Sequence, residues 1–297
     1  MRSGRVRPAG RRPGPTKAGQ YGDASSVRLR TLSSMSIRLL YTAAGLLVGV
    51  MVGLTGVGGG SLMTPILMLL FGQSPAVAVG TDLVFSATTK LAATASFGYS
   101  HRVDWRIVGR LAIGSLPGAG AVIVWFWLVR RTPSIVEHFI PRCLAVMLIV
   151  TAVGLLLQGS LQRLAIKTNA AWLTRAQRYK VPLTVAAGLL VGAGVTLTSV
   201  GAGALGTVAL FCLYPRRLTP DRLVATDIAH ALPVTLIAAL GHAALGHINL
   251  SVLVWLLLGS IPGVLVASRL AIRLPASLTR LMIAIMLVIA SERMLAY

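Results

Sequence analysis

LLVGVMVGLTGVGGGSLMTP (Leu46–Pro65) and LLVGAGVTLTSVGAGALGTV (Leu189–Val208) are one apolar string written twice, 143 residues apart. Past a two-residue insertion near Pro215–Leu218 the offset becomes 145 and holds. It pairs Thr81-Asp82 with Thr226-Asp227, and GSLPG (Gly114–Gly118) with GSIPG (Gly259–Gly263). Of the seven acidic residues, only Asp82 and Asp227 lie inside apolar stretches. A duplicated apolar chain, with one ionisable residue per copy beside a glycine-broken segment, is the sequence pattern of membrane carriers.

Composition agrees with a membrane setting. The 297 residues are 55% hydrophobic and 12% charged, with a mean hydropathy of +0.79. Soluble domains carry about 25% charged residues. The net charge of +21 invites a nucleic-acid reading, but nine of the 28 Lys and Arg fall in Arg2–Arg38 and most others in short connections. Basic loops between apolar segments follow the positive-inside rule, and no basic helix with interleaved aromatics is present. Nucleic acid is therefore not an expected partner, whereas the lipid bilayer is. Cys143 and Cys212 stand far apart in apolar segments, without metal-ligand spacing, and read as small buried residues.

Five apolar segments recur in each half: Ile37–Thr55, Leu62–Phe71, Ala76–Tyr99, Ile107–Val129 and Phe139–Leu157, then Val181–Val200, Leu205–Tyr214, Leu223–Leu245, Ile248–Ser268 and Leu278–Ser291. All are predicted helices, because an open strand edge would leave backbone groups unpaired in lipid. The fold class expected is an all-α integral membrane protein of two repeated bundles. It has about eight transmembrane helices and glycine-broken short segments. The chain divides into a basic extension expected to be disordered (1–36), a first repeat (37–158), a polar basic linker (159–180) and a second repeat (181–297). Met35-Ser36-Ile37-Arg38 ahead of an apolar run also reads as an alternative start. An even number of crossings per half makes the repeats parallel and an odd number inverts them. The even count puts Arg2–Arg38 and Arg163–Lys180 on one, cytoplasmic, side.

The glycine strings Gly56–Gly60 and Gly201–Gly203 interrupt helices at matching points. Each break offers a helix N-terminus with unpaired N–H groups and partial positive charge, which suits an anion. Close packing through small residues is the plainer alternative. Helix rise puts Ser61 about 16 Å and Asp82 about 9–10 Å from the turn at Gly72–Pro75. Asp82 is therefore expected near Met63–Pro65, and Asp227 near Thr207–Val208. A carboxylate at mid-helix costs about 2.5–3.5 kcal/mol to insert, so it faces a cavity or a partner. Lys90, eight positions after Asp82, and His230, three after Asp227, are candidate partners. Asp104 and Asn249 align in the repeat and read as N-caps. His101, His242 and His247 read as boundary residues; no carboxylate or thiolate accompanies them, so neither a metal nor a cofactor is called for.

In combination, GLTGVGGG (Gly53–Gly60), Pro65, AVGTD (Ala78–Asp82), VDWR (Val103–Arg106) and GSLPG resemble the TauE/SafE sulfite exporter family over roughly residues 40–292. The resemblance implies an inner-membrane, multi-pass carrier, not an enzyme, of small anions: sulfite, organosulfonates and related sulfur or carboxylate anions. On this reading the chain is an exporter, with Gly58, Gly59, Gly60, Lys90, Gly201 and Gly203 expected at the anion. Asp82 and Asp227, with Thr81, Thr226 and His230, are expected in proton coupling or gating. A homo-oligomer is compatible with such a chain. The rival from another class is an intramembrane enzyme using Asp82 and Asp227 as an acid/base pair; Gly80-Thr81-Asp82 and Ala225-Thr226-Asp227 lack the Gly-x-Gly-Asp pattern of aspartyl intramembrane proteases.

Overall fold

A computed structural model describes residues 23–55, 60–97, 103–129, 132–167, 179–201, 203–214, 217–218, 220–270 and 276–295. Among these the chain is helical, without strands. The helices are α1 (Asp23–Thr55), α2 (Gly60–Leu69), α3 (Pro75–Phe97), α4 (Trp105–Val129) and α5 (Pro133–Lys167) in the first half. In the second half they are α6 (Lys180–Thr198), α7 (Ala204–Leu213), α8 (Pro220–Ala244), α9 (Leu250–Leu270) and α10 (Ala276–Leu295). Residues 1–40 form one compact unit and residues 41–297 another. Every apolar segment read from the sequence overlaps a helix, with most ends differing by a few residues at most. Helix α1 reaches back to Asp23, into the stretch expected to be disordered, and α5 continues to Lys167, into the stretch expected to be linker. Residues 1–22 and 168–178 lie outside the described residues.

Six helices among the described residues are long and apolar enough to cross a membrane: parts of α1, α4, α5, α6, α8 and α9. The sequence led us to expect about eight. Helices α3 and α10 fall outside the six, and α3 carries Asp82, Lys90 and several hydroxyl residues. The outer surface is apolar. Ile113, Leu190, Leu240 and Val266 are each more than 60% exposed, as lipid-facing side chains should be. Inside the helices, the hydroxyls of Thr88, Thr89, Thr196, Thr198 and Thr235 donate to carbonyls one turn back, which keeps them satisfied without water.

The two halves interleave. Helix α4 of the first half packs along α6 of the second, α3 against α8 and α9, and α5 against α10. Glycine makes two of these seams close. Gly114 and Gly118 on α4 and Gly188 and Gly192 on α6 each place backbone against backbone of the opposite helix. Gly45, Gly49 and Gly53 on α1 do the same with Leu256, Ser260 and Val264 on α9, and Gly259 and Gly263 reciprocate. This is the small-residue packing that replaces a hydrophobic driving force between helices in lipid.

The helix ends are tied across the halves. Asp104 Oδ1 accepts the Ile107 N–H (3.3 Å) and Asn249 Oδ1 accepts the Val252 N–H (3.2 Å), the two N-caps expected from the repeat. The Asp104 N–H donates to Thr226 Oγ1 at 3.1 Å, and the Asn249 N–H to Thr81 Oγ1 at 3.0 Å. Arg217 adds an ion pair to Asp104 at 2.7 Å. Thr81→Val should leave the Asn249 N–H unpaired and lower stability by about 1–3 kcal/mol. Thermal unfolding of the purified protein reads this, and an unchanged melting temperature would show the tie to be idle.

Candidate functional site: a buried acid–base cluster

Helix α3 is the innermost element, packed against α2, α5, α6, α8 and α9. Pro75 opens it, as Pro220 opens α8, the proline supplying a preset backbone angle at a first helical turn. Asp82 on α3 has no exposed surface, and Lys90 on the same helix is 5% exposed. Asp227 and His230 on α8 are 3% and 1% exposed. Burial this complete in a chain with so few charges demands partners for each group.

Each aspartate finds one hydroxyl on a short helix. Thr64 Oγ1 on α2 donates to Asp82 Oδ2 at 2.5 Å. Thr207 on α7 shares its hydroxyl hydrogen between the Gly203 carbonyl and Asp227 Oδ2, the latter at 3.3 Å. Thr64 and Thr207 are themselves related by the repeat, and both lie where helix rise placed the aspartates' neighbours. Neither was singled out from the sequence as a partner, although each sits in the window reckoned from depth. The other carboxylate oxygens, Asp82 Oδ1 and Asp227 Oδ1, are buried without a hydrogen-bond partner, as are Ser86 Oγ, Ser199 Oγ and His230 Nδ1. Ser199, at the end of α6, faces the Asp82 carboxylate without closing a full hydrogen bond. Asp227 Oδ1 lies on the backbone of Gly206, where any side chain would collide with it.

Lys90 lies within electrostatic reach of both carboxylates. Its ammonium interacts electrostatically with Asp227 and with Asp82, and His230 feels the same charge. His230 does not pair with Asp227; its Nε2 lies 2.9 Å from Ser115 Oγ in the GSLPG turn of α4. Thr81 and Thr226 turn their hydroxyls to the helix ends described above. Among the glycines, Gly201 adopts φ +112°, a conformation side chains avoid, and with Gly203 it separates α6 from α7. Ser199 shares the left-handed region (φ 61°) at the end of α6. Gly60 opens α2. Gly58 and Gly59 lie outside the described residues, as does His101.

A second buried cluster stands apart. His242 is fully buried in the last turn of α8, not at a water boundary, and its Nε2 meets the Thr196 carbonyl at 3.0 Å. A carbonyl only accepts, so Nε2 carries the proton. His242 Nδ1 then accepts from His247 Nδ1 at 3.3 Å, and Phe126 stacks edge-on against both rings. Partial burial holds the His247 imidazole below the usual histidine range. Among the described residues no group of His, Cys, Asp or Glu is arranged to hold a metal ion. An apolar groove of about 250 Å³ between α2 and α10, with Arg293 at its edge, contains none of the acid–base residues.

The model of the sulfite exporter TauE/SafE family matches residues 41–294, the whole second compact unit but for three residues. The chain belongs to that family. It is 38% identical over 256 residues to "Probable membrane transporter protein YjnA" of Bacillus subtilis, covering 86% of this chain and 97% of that one. It is also 26% identical over 223 residues to "Probable membrane transporter protein YdhB" of the same organism, covering 75% and 86%. No solved structure matches it. A TauE/SafE member with several apolar helices is a multi-pass membrane protein, and both of these relatives are named as probable membrane transporters.

Proposed function

We propose that the protein is a secondary carrier of small anions across the cytoplasmic membrane, exporting sulfite, organosulfonates or related sulfur and carboxylate anions. The observation that carries this reading is Lys90. A buried cation interacts electrostatically with two carboxylates contributed by matched positions of the two halves, and buried polar atoms of the same helices have no protein partner. Such unpaired buried atoms are costly unless something enters to satisfy them. An anion does so from Lys90 and the hydroxyls of Ser86 and Ser199. The break at Gly201–Gly203 brings the start of α7 within the same region, and its positive end favours negative charge. Asp82 and Asp227 serve as the proton-linked gates.

Flux of sulfite, an alkanesulfonate and a small carboxylate into proteoliposomes, with and without a pH gradient, tests the proposal. Saturable flux of at least one of these above empty liposomes is the expected result. Flux of none of them would remove the anion-carrier reading.

A further inference from the structure

The charges in the cluster limit what else must bind with the anion. Asp82 and Asp227 are both fully enclosed, each with one oxygen held by a threonine and the other unpartnered. Among the described residues the charged group that acts on both is Lys90 from α3, and His230 from α8 lies within reach of the same Lys90 charge. Helix α2 contributes Thr64, α6 the neighbouring Ser199, α7 Thr207, and α4 reaches His230 through Ser115. With both carboxylates ionised and Lys90 charged, the formal sum is one negative charge. A second negative charge then enters against like charge, in a medium where repulsion is weakly screened. With one carboxyl protonated the sum is zero, and with both it is one positive charge, which an anion neutralises. A protonated carboxyl also gains an O–H donor, so an oxygen that repels an oxyanion becomes one that can hydrogen-bond to it.

We infer that the anion binds at this cluster only together with protons taken up by Asp82 and Asp227, which makes the carrier a proton–anion symporter acting on oxyanions with at least two acceptor oxygens. The inference rests on the carrier reading above and assigns its coupling. Linkage makes it reciprocal: protons tighten the anion, and the anion tightens the protons by the same factor. Proton and anion then cross in the same direction. An inward proton gradient drives the anion inward, so the export proposed above requires an outward anion gradient that outweighs it. His230 Nε2 is bonded to Ser115 while its Nδ1 is unpartnered, so His230 is the alternative proton site that the test must separate from the carboxylates.

The test uses the full chain in nanodiscs and a simple alkanesulfonate, whose own charge does not change near neutral pH. Calorimetric titration in two buffers of different ionisation enthalpy counts the protons exchanged. Between one and two protons should be absorbed per anion, and affinity should fall by up to tenfold per pH unit for each proton as pH rises. Asp82→Asn with Asp227→Asn, which imitates the protonated pair, should bind the sulfonate with a pH-independent affinity and absorb no proton.

Binding to the wild type without proton uptake at any pH of an alkaline series, or affinity that rises with pH, overturns the symport inference and leaves an anion carrier standing. Proton uptake that survives in the double variant assigns the proton elsewhere, to His230 first, and overturns the inference as well. No sulfonate binding at any pH, together with no flux of any anion, overturns the carrier reading itself. If the double variant fails to fold, the proton count of the wild type decides alone.

Discussion

Lys90→Leu should cut anion flux at least tenfold and cost the fold about 3–5 kcal/mol, the usual penalty for removing one partner of a buried charge group. Leucine has nearly the volume of the lysine stem, so packing is not the main loss. The loss is that Asp82 and Asp227 are left enclosed, each with a single hydroxyl and no cation. Two readouts separate the roles of the side chain. Thermal unfolding reports the stability loss, and neutralising both carboxylates in the same protein (Lys90→Leu with Asp82→Asn and Asp227→Asn) should recover most of it. Flux should not recover, because the anion has lost its only buried cation among the described residues of the cluster. A charge-assisted hydrogen bond is worth about 1.5–3 kcal/mol, so a loss of at least tenfold is expected. Full flux in the triple variant would show that Lys90 serves only to neutralise the aspartates.

Gly192→Val should be equally damaging, for a reason of shape. Its new Cβ would enter the backbone of Ser115 on α4, within 2.6 Å of the Ser115 Cα. Backbone cannot rotate away as a side chain can, so α4 and α6 must separate along their whole seam. Overpacking costs about 1–3 kcal/mol where neighbours can adjust, and here they cannot without losing the seam. Ser115 also holds His230 at 2.9 Å, so the displacement reaches the cluster. Gly109 and Gly120, on the open side of α4, have nothing within 4 Å of a Cβ. Gly120→Ala should be tolerated and even gain about 1 kcal/mol of helix propensity. A Gly192→Val protein that melts with the Gly120→Ala protein would mean the seam is not tight.

What the sequence made legible follows from which forces are local. Apolar runs of helical length and the 145-residue offset located the helices, and helix rise alone put Asp82 beside Thr64 and Asp227 beside Thr207. Thr81 and Thr226 precede the aspartates in sequence, but their hydroxyls meet the Asn249 and Asp104 N–H groups, because adjacency along a chain is not adjacency on a helix. One residue turns a side chain by about 100°, so a threonine next to a buried aspartate points elsewhere. Here it points to the N-terminus of a helix from the other half. The contact between Asp82 and Ser199, and that between His230 and Ser115, depend on how the halves interleave, which no periodicity within one half encodes. Gly206 carried a signal that could have been read: a glycine one residue before Thr207, where the first half has Met63, marks the space that Asp227 fills. The number of crossings stayed open for a related reason. A helix such as α3, which the bundle encloses, can afford polarity that a lipid-facing helix cannot.

The interleaving of the halves also bears on biosynthesis. As the nascent chain leaves the ribosome, α1 and α4 enter the bilayer with their glycine faces bare, because α9 and α6 have not yet been made. The first half therefore has no finished state of its own to wait in. Asp82 and Lys90 have α2 and α5 beside their helix from the start, but the second-half helices α6, α8 and α9 complete their surroundings only later. Assembly is an event of the completed polypeptide, and a ribosome that stops in the 159–180 stretch leaves behind a fragment exposed to membrane quality control.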